Sequence, residues 1–396
     1  MRMVEENTID KSRNIHTWGE FSEIIKGNGV QKVDFVDEGY GCIHYGQIYT
    51  HYGPYTYNTN KFVSKEIFDK AKKASKGDII MTDTSENVED ICKSVAYLGN
   101  DDIAVSNHAL IIKHNQNPKF LSYSTLTDSF FNQKRKVVVG VKVSGIKPEQ
   151  LAKIKIYLPS LSEQERIVDI LDTFTSSIDN LKQQIAQRRK QYEYYRDQLL
   201  DLEGKEGVEM KTISEVAKNF TGLTYKPEFL SETGTLVLRS SNIDEDKLVF
   251  VDNVYVQMDI PPRAIVEEND ILICVRNGSK RLVGKAAMIT KDAEGMAFGA
   301  FMTILRCFDI NSKFLFFVWQ STKVKMQYKG DEAMPIAQIT AKDFQRIIIP
   351  VPPISEQQRI VSILDTFEAS IQNLEAQLSQ REKQYEYYRN KLLTFE

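Results

Sequence analysis

Two stretches of the chain, residues 162–203 and 355–396, carry an apolar side chain at every third or fourth position. The spacing alternates 4-3-4-3 for five heptads when Arg188 and Arg381 are counted among the seam positions. Neither stretch contains glycine or proline. A seam of this length is typical of a coiled coil rather than of an ordinary amphipathic surface helix.

The two stretches are also copies of each other. They align without a gap at an offset of 193 residues, and 28 of the 42 aligned positions are identical. Ser162 and Ser355 suit the N-cap position of a helix, with Pro159 and Pro353 shortly before them. The pattern therefore predicts two long helices, each about 60 Å in length.

The apolar seams leave two pairings open. Each helix could pair with a copy in another chain, or the two helices could pair with each other, antiparallel and related by a pseudo-twofold axis. We favour the intramolecular pairing because one chain already holds two matching seams. Arg188 and Arg381 would then mark the register of the coiled coil or extend outward from it.

The remaining segments are rich in Val, Ile, Tyr, Phe and Thr, with turns of Gly, Asn and Asp, which favours a mixed α/β (α+β) fold with substantial sheet. Residues 76–81 match residues 268–273 as a turn that leads into a buried strand. Three further matches pair residues 45–48 with 240–243, 104–113 with 297–306, and 146–159 with 339–352, the last as a short helix followed by a strand. All four matches are weak.

The sequence thus predicts two globular domains separated by two long helices that form an antiparallel intramolecular coiled coil, a pseudo-twofold repeat. The helices match closely, whereas the globular segments match weakly. We infer that the helices perform a shared, symmetric task and that the globular domains perform different ones, as expected for a bipartite, non-palindromic target. The predicted boundaries are 1–160 for the first globular domain, 161–204 for the central helix, 205–353 for the second domain and 354–396 for the C-terminal helix.

Composition places the chain among ordinary globular proteins, with 42% hydrophobic and 27% charged residues. No apolar run approaches the roughly 20 residues of a membrane helix, and the polar start predicts no signal peptide. The four cysteines lie far apart without a CxxC pair, which favours reduced thiols in a cytoplasm. A net charge of -3 is unusual for a protein that grips DNA alone, so any DNA binding would need local basic loops and a partner.

The order of these features resembles the specificity subunit of type I restriction–modification systems. The helix entries carry the resemblance, since residues 159–172 read PSLSEQERIVDILD and residues 352–365 read PPISEQQRIVSILD. It covers nearly the whole chain and implies two target-recognition domains, each reading one half of a split DNA sequence, held apart by spacer helices. One departure is the short start, with only about 15 residues before the first recognition domain.

The resemblance also implies partners and excludes some chemistry. Double-stranded DNA would be the target, two methyltransferase subunits would dock on the helices, and restriction subunits would join through the complex. The family's subunit has no catalytic centre, and we expect no catalytic residue, cofactor or metal here. The chain lacks a methyltransferase motif and a GxxxxGKS or GxxxxGKT loop, and its five histidines show no ligand spacing. Residues 245–247 (Glu-Asp-Lys) are interpreted as a solvated turn rather than part of a nuclease site.

Base reading needs side chains that form forked hydrogen bonds, such as arginine with guanine and asparagine or glutamine with adenine. Residues 276–281 are the best candidate because they follow a buried strand and supply three cations, although an ordinary basic hairpin turn is the alternative. Residues 44–55 crowd polar and aromatic side chains together, and a tyrosine-rich strand edge is the alternative there. In the first half, residues 82–85 are the equivalent of residues 276–281, and this loop is polar but acidic.

The predicted DNA-contacting residues of the first half are His44, Tyr45, Gln47, Tyr49, Thr50, His51, Tyr52, Tyr55, Thr84, Ser85, Asn107, His108, Lys134 and Arg135. Those of the second half are Arg239, Ser240, Asn242, Arg276, Asn277, Ser279, Lys280 and Arg281. On the helices, Tyr192 and Tyr195 lie on the seam and are expected in the core, whereas Tyr194 and Tyr387 lie off it and are predicted to face a partner subunit.

Two other functions remain open at this point. The chain could be a structural coiled-coil scaffold with two ligand-binding heads and no DNA role, which would show no salt-dependent DNA binding. It could also be a stand-alone nuclease, which would cleave DNA in a metal-dependent manner, and we expect no such cleavage.

Overall fold

The computed structural model describes residues 14–138, 144–329 and 338–394. The chain divides into two compact units, one comprising Met1–Lys182 and Gln377–Glu396 and the other Gln183–Ala376. Within the described ranges, none of the helices is both long enough and apolar enough to cross a bilayer.

Unit 1 contains two five-stranded sheets, with strand orders β2-β12-β8-β10-β5 and β3-β6-β4-β11-β7, and the two-stranded pairs β1-β14 and β13-β9. Its strands are β1 (Ile15–Thr17), β2 (Ser22–Lys26), β3 (Phe35–Val36), β4 (Tyr40–Ile43), β5 (Tyr55–Thr56), β6 (Lys61–Val63), β7 (Lys73–Ala74), β8 (Ile79–Thr82), β9 (Thr84–Ser85), β10 (Ser94–Tyr97), β11 (Ile103–Val105), β12 (Ala109–His114), β13 (Ser144–Gly145) and β14 (Lys155–Tyr157). Its helices are α1 (Trp18–Phe21), α2 (Tyr45–Thr50), α3 (Lys65–Lys70), α4 (Pro118–Ser124), α5 (Asp128–Val137), α6 (Pro148–Leu151) and the first part of α7 (Leu161–Leu200).

Unit 2 contains two four-stranded sheets, with strand orders β16-β25-β22-β23 and β17-β21-β18-β24, and the two-stranded pairs β15-β26 and β19-β20. Its strands are β15 (Glu209–Thr212), β16 (Ala217–Thr221), β17 (Leu230–Ser231), β18 (Thr235–Leu238), β19 (Ile243–Asp244), β20 (Lys247–Leu248), β21 (Tyr255–Val256), β22 (Ile271–Cys274), β23 (Ala286–Met288), β24 (Ala297–Phe298), β25 (Met302–Cys307) and β26 (Ile348–Val351). Its helices are α8 (Ile213–Val216), α9 (Ser312–Gln320), α10 (Thr322–Lys329), α11 (Ala341–Phe344) and the first part of α12 (Ile354–Leu393).

The globular parts of the two units share a topology that their sequences barely reveal. The order β2-β12-β8-β10 in unit 1 corresponds to β16-β25-β22-β23 in unit 2. The central strands β8 and β22 are buried along their whole length, as the predicted turn-and-strand match requires. Gly77 and Asn269 precede them with φ angles of 96° and 71°, in the left-handed region that glycine and asparagine tolerate. The weak internal repeat of the globular segments is therefore real.

The two long helices pair antiparallel within the chain, which confirms the intramolecular prediction. In unit 1, the rings of Phe174 and Tyr388 stack with centroids 5.4 Å apart. In unit 2, Tyr195 stacks on Phe367 at 5.4 Å. A residue near the start of α7 thus contacts a residue near the end of α12, and a residue near the end of α7 contacts one near the start of α12, as antiparallel helices do. Because both helices supply apolar seams, each unit buries seam residues such as Leu171 and Leu364 in its core.

The helix starts differ slightly from the prediction. Both long helices begin one residue before the predicted caps, so Ser162 and Ser355 lie inside the first turn. Ser160 instead accepts a hydrogen bond from the Glu163 N–H at 3.4 Å. The prediction was wrong because a serine at the second helical position resembles an N-cap in sequence.

The seam arginines are only half-buried, so they extend outward rather than lie in the core. The guanidinium of Arg381 lies 5.7 Å from the centroid of the Phe174 ring. Half-burial beside an aromatic ring fits the usual behaviour of long cationic side chains, whose stems pack on apolar surface while the charge reaches toward water.

A glutamine at the start of each long helix fastens the globular part of its unit. The Gln164 carbonyl oxygen accepts from the Asn117 N–H at 3.0 Å, and its amide donates to the Pro159 carbonyl at 2.8 Å. Gln357 makes the same two bonds, with the Asn311 N–H at 2.9 Å and the Pro352 carbonyl at 2.8 Å.

An ion pair lies about two helical turns beyond each glutamine. Lys119 pairs with Asp172 at 2.7 Å, and Lys313 pairs with Asp365 at 2.7 Å. The same polar fastening therefore holds both domains on their helices, although the domain sequences have diverged.

Candidate nucleic-acid interface

In unit 1, three segments that are distant in sequence converge at one edge of the fold. They are helix α2, the short strand β9 (Thr84–Ser85) and the loop at residues 107–108. The Tyr49 hydroxyl donates to the Thr84 carbonyl oxygen. The Thr84 hydroxyl lies 3.2 Å from Nδ1 of His108, and the His108 ring lies 5.4 Å from the Tyr45 ring. The result is a cluster of phenol, hydroxyl and imidazole groups, which we call the unit 1 cluster.

The backbone around this cluster explains its geometry. Helix α2 follows β4, which pairs in parallel with β11, so the segments after these two strands meet at the same sheet edge. His44 caps the helix, since its Nδ1 accepts from the Gly46 N–H at 3.1 Å, and Gln47 accepts from the His44 N–H at 2.8 Å. His108 has a φ angle of 63°, a conformation uncommon for residues other than glycine.

In unit 2, the corresponding segments also converge. They are residues 239–242 after β18, residues 276–281 after β22, and the turn before β25. The Asn277 amide donates to the Ser240 hydroxyl at 3.1 Å. The Arg276 guanidinium lies 5.4 Å from the ring centroid of Phe301. We call this group of guanidinium, amide, hydroxyl and aromatic side chains the unit 2 cluster.

The two clusters occupy equivalent places in the repeat. Arg239 precedes a helical turn as His44 does, and Asn242 accepts from the Arg239 N–H at 2.9 Å as Gln47 does from His44. This agrees with the sequence match of residues 45–48 with 240–243. Phe301 falls where His108 falls when residues 104–113 are aligned with 297–306. Sequence reasoning missed Phe301, and that alignment was the signal that would have found it.

The charge around the two clusters differs from what the loop sequences suggested. Asp83, which made the first loop look acidic, is buried, and its carboxylate lies 2.9 Å from Lys26 Nζ and 3.7 Å from His108 Nδ1. The unit 1 cluster therefore presents neutral polar groups rather than a carboxylate. Arg276, Lys280 and Arg281 are exposed, and among the described residues no carboxylate lies within ion-pair distance of them.

Three of the predicted DNA-contacting residues, Lys134, His44 and Asn242, are buried and have structural roles. Lys134 is 4% exposed, and its ammonium donates to the carbonyls of Glu89 and Ile91 at 2.9 and 2.7 Å. Burial lowers the pKa of this amine. A charge held in this way is not available to a phosphate, so the sequence-based assignment of Lys134 is corrected.

His44 and Asn242 are buried as well. His44 is the cap of α2, and burial lowers its pKa, so the ring is held in its neutral form. The Asn242 amide donates to the carbonyls of Val249 and Val251, at 3.1 and 3.2 Å. Both side chains are buried and shape the clusters from within, which corrects their sequence-based assignment to an exposed contact surface.

The other candidates of unit 1 fall into two groups. Gln47 and Tyr52 bond the side chain of Asn60, and Asn107 accepts from the Gly29 N–H at 2.9 Å, so these residues brace the rim of the unit 1 cluster. The remaining candidates are exposed or half-buried. Thr50 and His51 are exposed at the end of α2, Ser85 lies in β9, Tyr55 lies in β5 beneath Lys119, and Arg135 is exposed on α5.

In unit 2, Ser279 is exposed in the same loop as Lys280 and Arg281, and its N–H donates to the Asn277 side chain at 2.9 Å. No atom lies within 4 Å of a Cβ built on Gly278, so the loop surface is open there. An open loop with three cations can approach a phosphate backbone or a groove closely.

Exposed tyrosines recur on the long helices. Tyr194 is 61% exposed and Tyr387 is 58% exposed. Each makes an edge-to-face contact at 5.3 Å with the next tyrosine, Tyr195 or Tyr388. Tyr195 is itself 47% exposed, so the expectation that it lies in the core was wrong. Its ring covers Phe367 from the outside of the seam instead of inserting into it.

Three further possibilities concern the described part of the chain, namely a metal site, a reactive thiol and a nuclease-like carboxylate pair. No group of three or more His, Cys, Asp or Glu side chains is arranged to hold a metal ion there. All four cysteines are free, and burial raises the pKa of Cys42 and of Cys92 to about 12, so these thiols are poor nucleophiles. Residues 245–247 lie at the β19–β20 turn, where the Glu245 carboxylate pairs with Arg189 at 2.7 Å while it remains 57% exposed.

Comparison with solved structures identifies the fold. A type I restriction–modification S subunit from M. genitalium aligns over 99% of this chain and 98% of its own, with a TM-score of 0.53 and 16% identity. A chain from a study of complex assembly and conformational transition of the type I R-M system aligns over 96% of both chains, with a TM-score of 0.65 and 17% identity. The chain therefore shares its fold with these solved structures.

Sequence comparison then gives the family. The family described as the type I restriction modification DNA specificity domain matches residues 16–188 and 205–382. The chain is 34% identical over 251 residues to the type I restriction enzyme EcoR124I/EcoR124II specificity subunit of Escherichia coli, a match that spans 60% of each protein. It is 26% identical to a putative type I specificity subunit of Mycoplasma pneumoniae, over 76% of this chain and 89% of that one. The chain belongs to the family of type I restriction–modification specificity subunits, and it carries two target-recognition domains.

Proposed function

We propose that this chain is the non-catalytic DNA-reading subunit of a type I restriction–modification complex, and that each recognition domain contacts one half of a bipartite, asymmetric target. The observation that carries the proposal is the pair of three-segment clusters. They stand at equivalent places in the repeat, but their side chains differ in chemistry. Equivalent placement suits two reading heads, and different chemistry suits two different half-sites.

The side chains of each cluster suggest how each half is read. The unit 2 cluster offers arginine and asparagine, which form forked hydrogen bonds with guanine and adenine in the major groove. The unit 1 cluster offers hydroxyl and imidazole groups with tyrosine rings, which suit single hydrogen bonds, phosphate contacts and apolar contact with thymine methyl groups. We propose domain boundaries at residues 1–160 and 205–353 for the two readers, with residues 161–204 and 354–396 as spacer helices.

The long helices are proposed to dock two methyltransferase subunits, through which restriction subunits join. The exposed Tyr194 and Tyr387 support this, because exposed aromatic side chains repeated at equivalent positions are typical of interface anchors. The net charge of -3 also fits a chain that binds DNA within a larger, cytoplasmic assembly rather than alone. Catalysis is proposed to belong to the partners.

Methylation mapping tests the proposal directly. Cells that express the partner subunits with this chain should methylate a split sequence that is unmodified in cells without it. A second arm uses a chain in which Arg276, Lys280 and Arg281 are replaced by alanine. This variant should lose the methylation pattern while its domain remains folded. An unchanged pattern in the presence and absence of the chain would refute the proposal. If the reconstituted complex shows no salt-dependent DNA binding, the scaffold alternative is favoured instead.

A further inference from the structure

Two ion pairs join the long helices, one within each unit. In unit 1, Lys182 of α7 lies 3.3 Å from Glu382 of α12. In unit 2, Arg189 of α7 lies 2.7 Å from Glu375 of α12. In both pairs α7 supplies the cation and α12 supplies the carboxylate, and all four side chains are partly exposed beside the apolar seam.

The four residues occupy only two positions of the helical repeat. At the offset of 193 residues, Lys182 corresponds to Glu375 and Arg189 corresponds to Glu382. Of the 42 aligned positions, 14 differ, because 28 are identical. These two are the only ones among the 14 at which a cation in one helix is replaced by a carboxylate in the other. The reversals of charge thus coincide with the sites where the helices form ion pairs.

The apolar seam distinguishes the two helices little, since its residues differ only where Ile185 corresponds to Leu378 and Leu202 to Phe395. Ile167, Leu171 and Phe174 in α7 have the same identities as their counterparts in α12. A second copy of α7 could therefore fill the place of α12 as far as the seam is concerned. Partner choice must come from positions that differ between the helices.

Antiparallel pairing places the first of the two repeat positions opposite the second. If two copies of α7 paired in this way, Lys182 of each would face Arg189 of the other. If two copies of α12 paired, Glu375 would face Glu382. Both arrangements bring like charges together twice, and only α7 with α12 brings opposite charges together twice.

We propose that these four charges form a pairing code that makes α7 select α12 and disfavours association of like helices from two copies of the chain. The tether between the helices supplies a high effective concentration, which keeps the pair within one chain, whereas the charges decide which helices match. In unit 2 the β19–β20 turn reinforces the code, since Glu245 pairs with Arg189 at 2.7 Å and Lys247 lies 3.9 Å from Glu375.

The test uses three full-length variants. In the all-cationic chain, Glu375→Lys and Glu382→Arg give α12 the charges of α7. In the all-anionic chain, Lys182→Glu and Arg189→Glu give α7 the charges of α12. The control chain carries Lys190→Glu and Lys383→Glu, which changes the net charge as much as the all-anionic chain does, but at exposed positions that form no ion pair with the other helix among the described residues.

Differently tagged chains are refolded together at low salt, and native mass spectrometry counts dimers that contain both tags. A mixture of all-cationic and all-anionic chains should form mixed dimers on the order of tenfold more often than two wild-type chains, two control chains or two chains of the same variant. At about 1 M salt, where charges are screened within roughly 3 Å, the excess should vanish while circular dichroism shows every variant folded. An excess of mixed dimers no larger than that of tagged wild-type chains, or one that persists at high salt, would overturn the pairing code.

Discussion

Replacing Arg276 by alanine isolates a single contact of the unit 2 cluster. The side chain is exposed, its guanidinium lies 5.4 Å from the Phe301 ring, and no carboxylate of a described residue pairs with it. Truncation therefore leaves no buried group without a partner. The fold should lose one exposed cation–π contact, about 0.5–1 kcal/mol, so the melting temperature should change little.

The expected effect on DNA binding is larger than the effect on folding. A forked contact from arginine to guanine discriminates by about 1–3 kcal/mol, which is roughly 5- to 150-fold in affinity. If Arg276 contacts a phosphate instead, binding should weaken equally for all sequences, and the slope of affinity against salt should fall by about one. The two outcomes separate base reading from backbone contact.

The assay titrates the complex, reconstituted with its methyltransferase subunits, against duplexes in which one half of the mapped target is scrambled. Arg276→Ala should weaken the preference for one half only. Arg263→Ala is the matched control, because Arg263 is an exposed arginine of the same unit that lies outside the three converging segments. Equal relaxation at both halves would refute the assignment of one half-site to each cluster.

Three further predictions concern stability, pH and assembly. Asn242→Ala should cost about 1–3 kcal/mol, because the Arg239 N–H and two carbonyls lose their partner, and the melting temperature should fall while that of Ser241→Ala does not. Burial raises the pKa of the Glu368 carboxyl above 4.5, so the folded state binds this proton more tightly, and its stabilising effect is lost as pH rises through the raised pKa. Glu368→Gln should therefore melt higher than the wild type at pH 8 but not at pH 4, and a wild-type advantage at pH 8 would contradict the sign. Tyr194→Ala combined with Tyr387→Ala should weaken methyltransferase binding about tenfold or more in a pull-down titration without lowering the melting temperature, whereas Tyr57→Ala, at an equally exposed tyrosine, should leave binding unchanged.

The helices show how far a periodic pattern reaches. Their lengths, their seams and their intramolecular pairing followed from the 4-3 spacing and the duplication, because a heptad repeat specifies a helix and its contact face locally. The details at the rim did not follow. Tyr195 was expected in the core because of its heptad position, yet it lies over Phe367 at the surface, since a long aromatic side chain at the edge of a seam can cover it from outside.

The candidate interface shows the opposite case. The sequence located residues 44–55, 239–242 and 276–281 from their residue types, but it could not say which of these side chains face outward. Lys134 and Asn242 look like DNA contacts in sequence, and both are consumed by hydrogen bonds to buried carbonyls. A polar side chain has no local signature of burial, because its partners come from segments that only the fold brings near.

By itself, then, the sequence determined the repeat, the two helices, their seam and the family of the chain, because these depend on short-range periodicity and on matching residues. Only the tertiary structure decided that Thr84 meets His108, that Asp83 is neutralised by Lys26, and that Phe301 supports Arg276. It also decided that Lys182 faces Glu382 and that Arg189 faces Glu375. These contacts join residues far apart along the chain, and their energies depend on distance and burial, which no local pattern encodes.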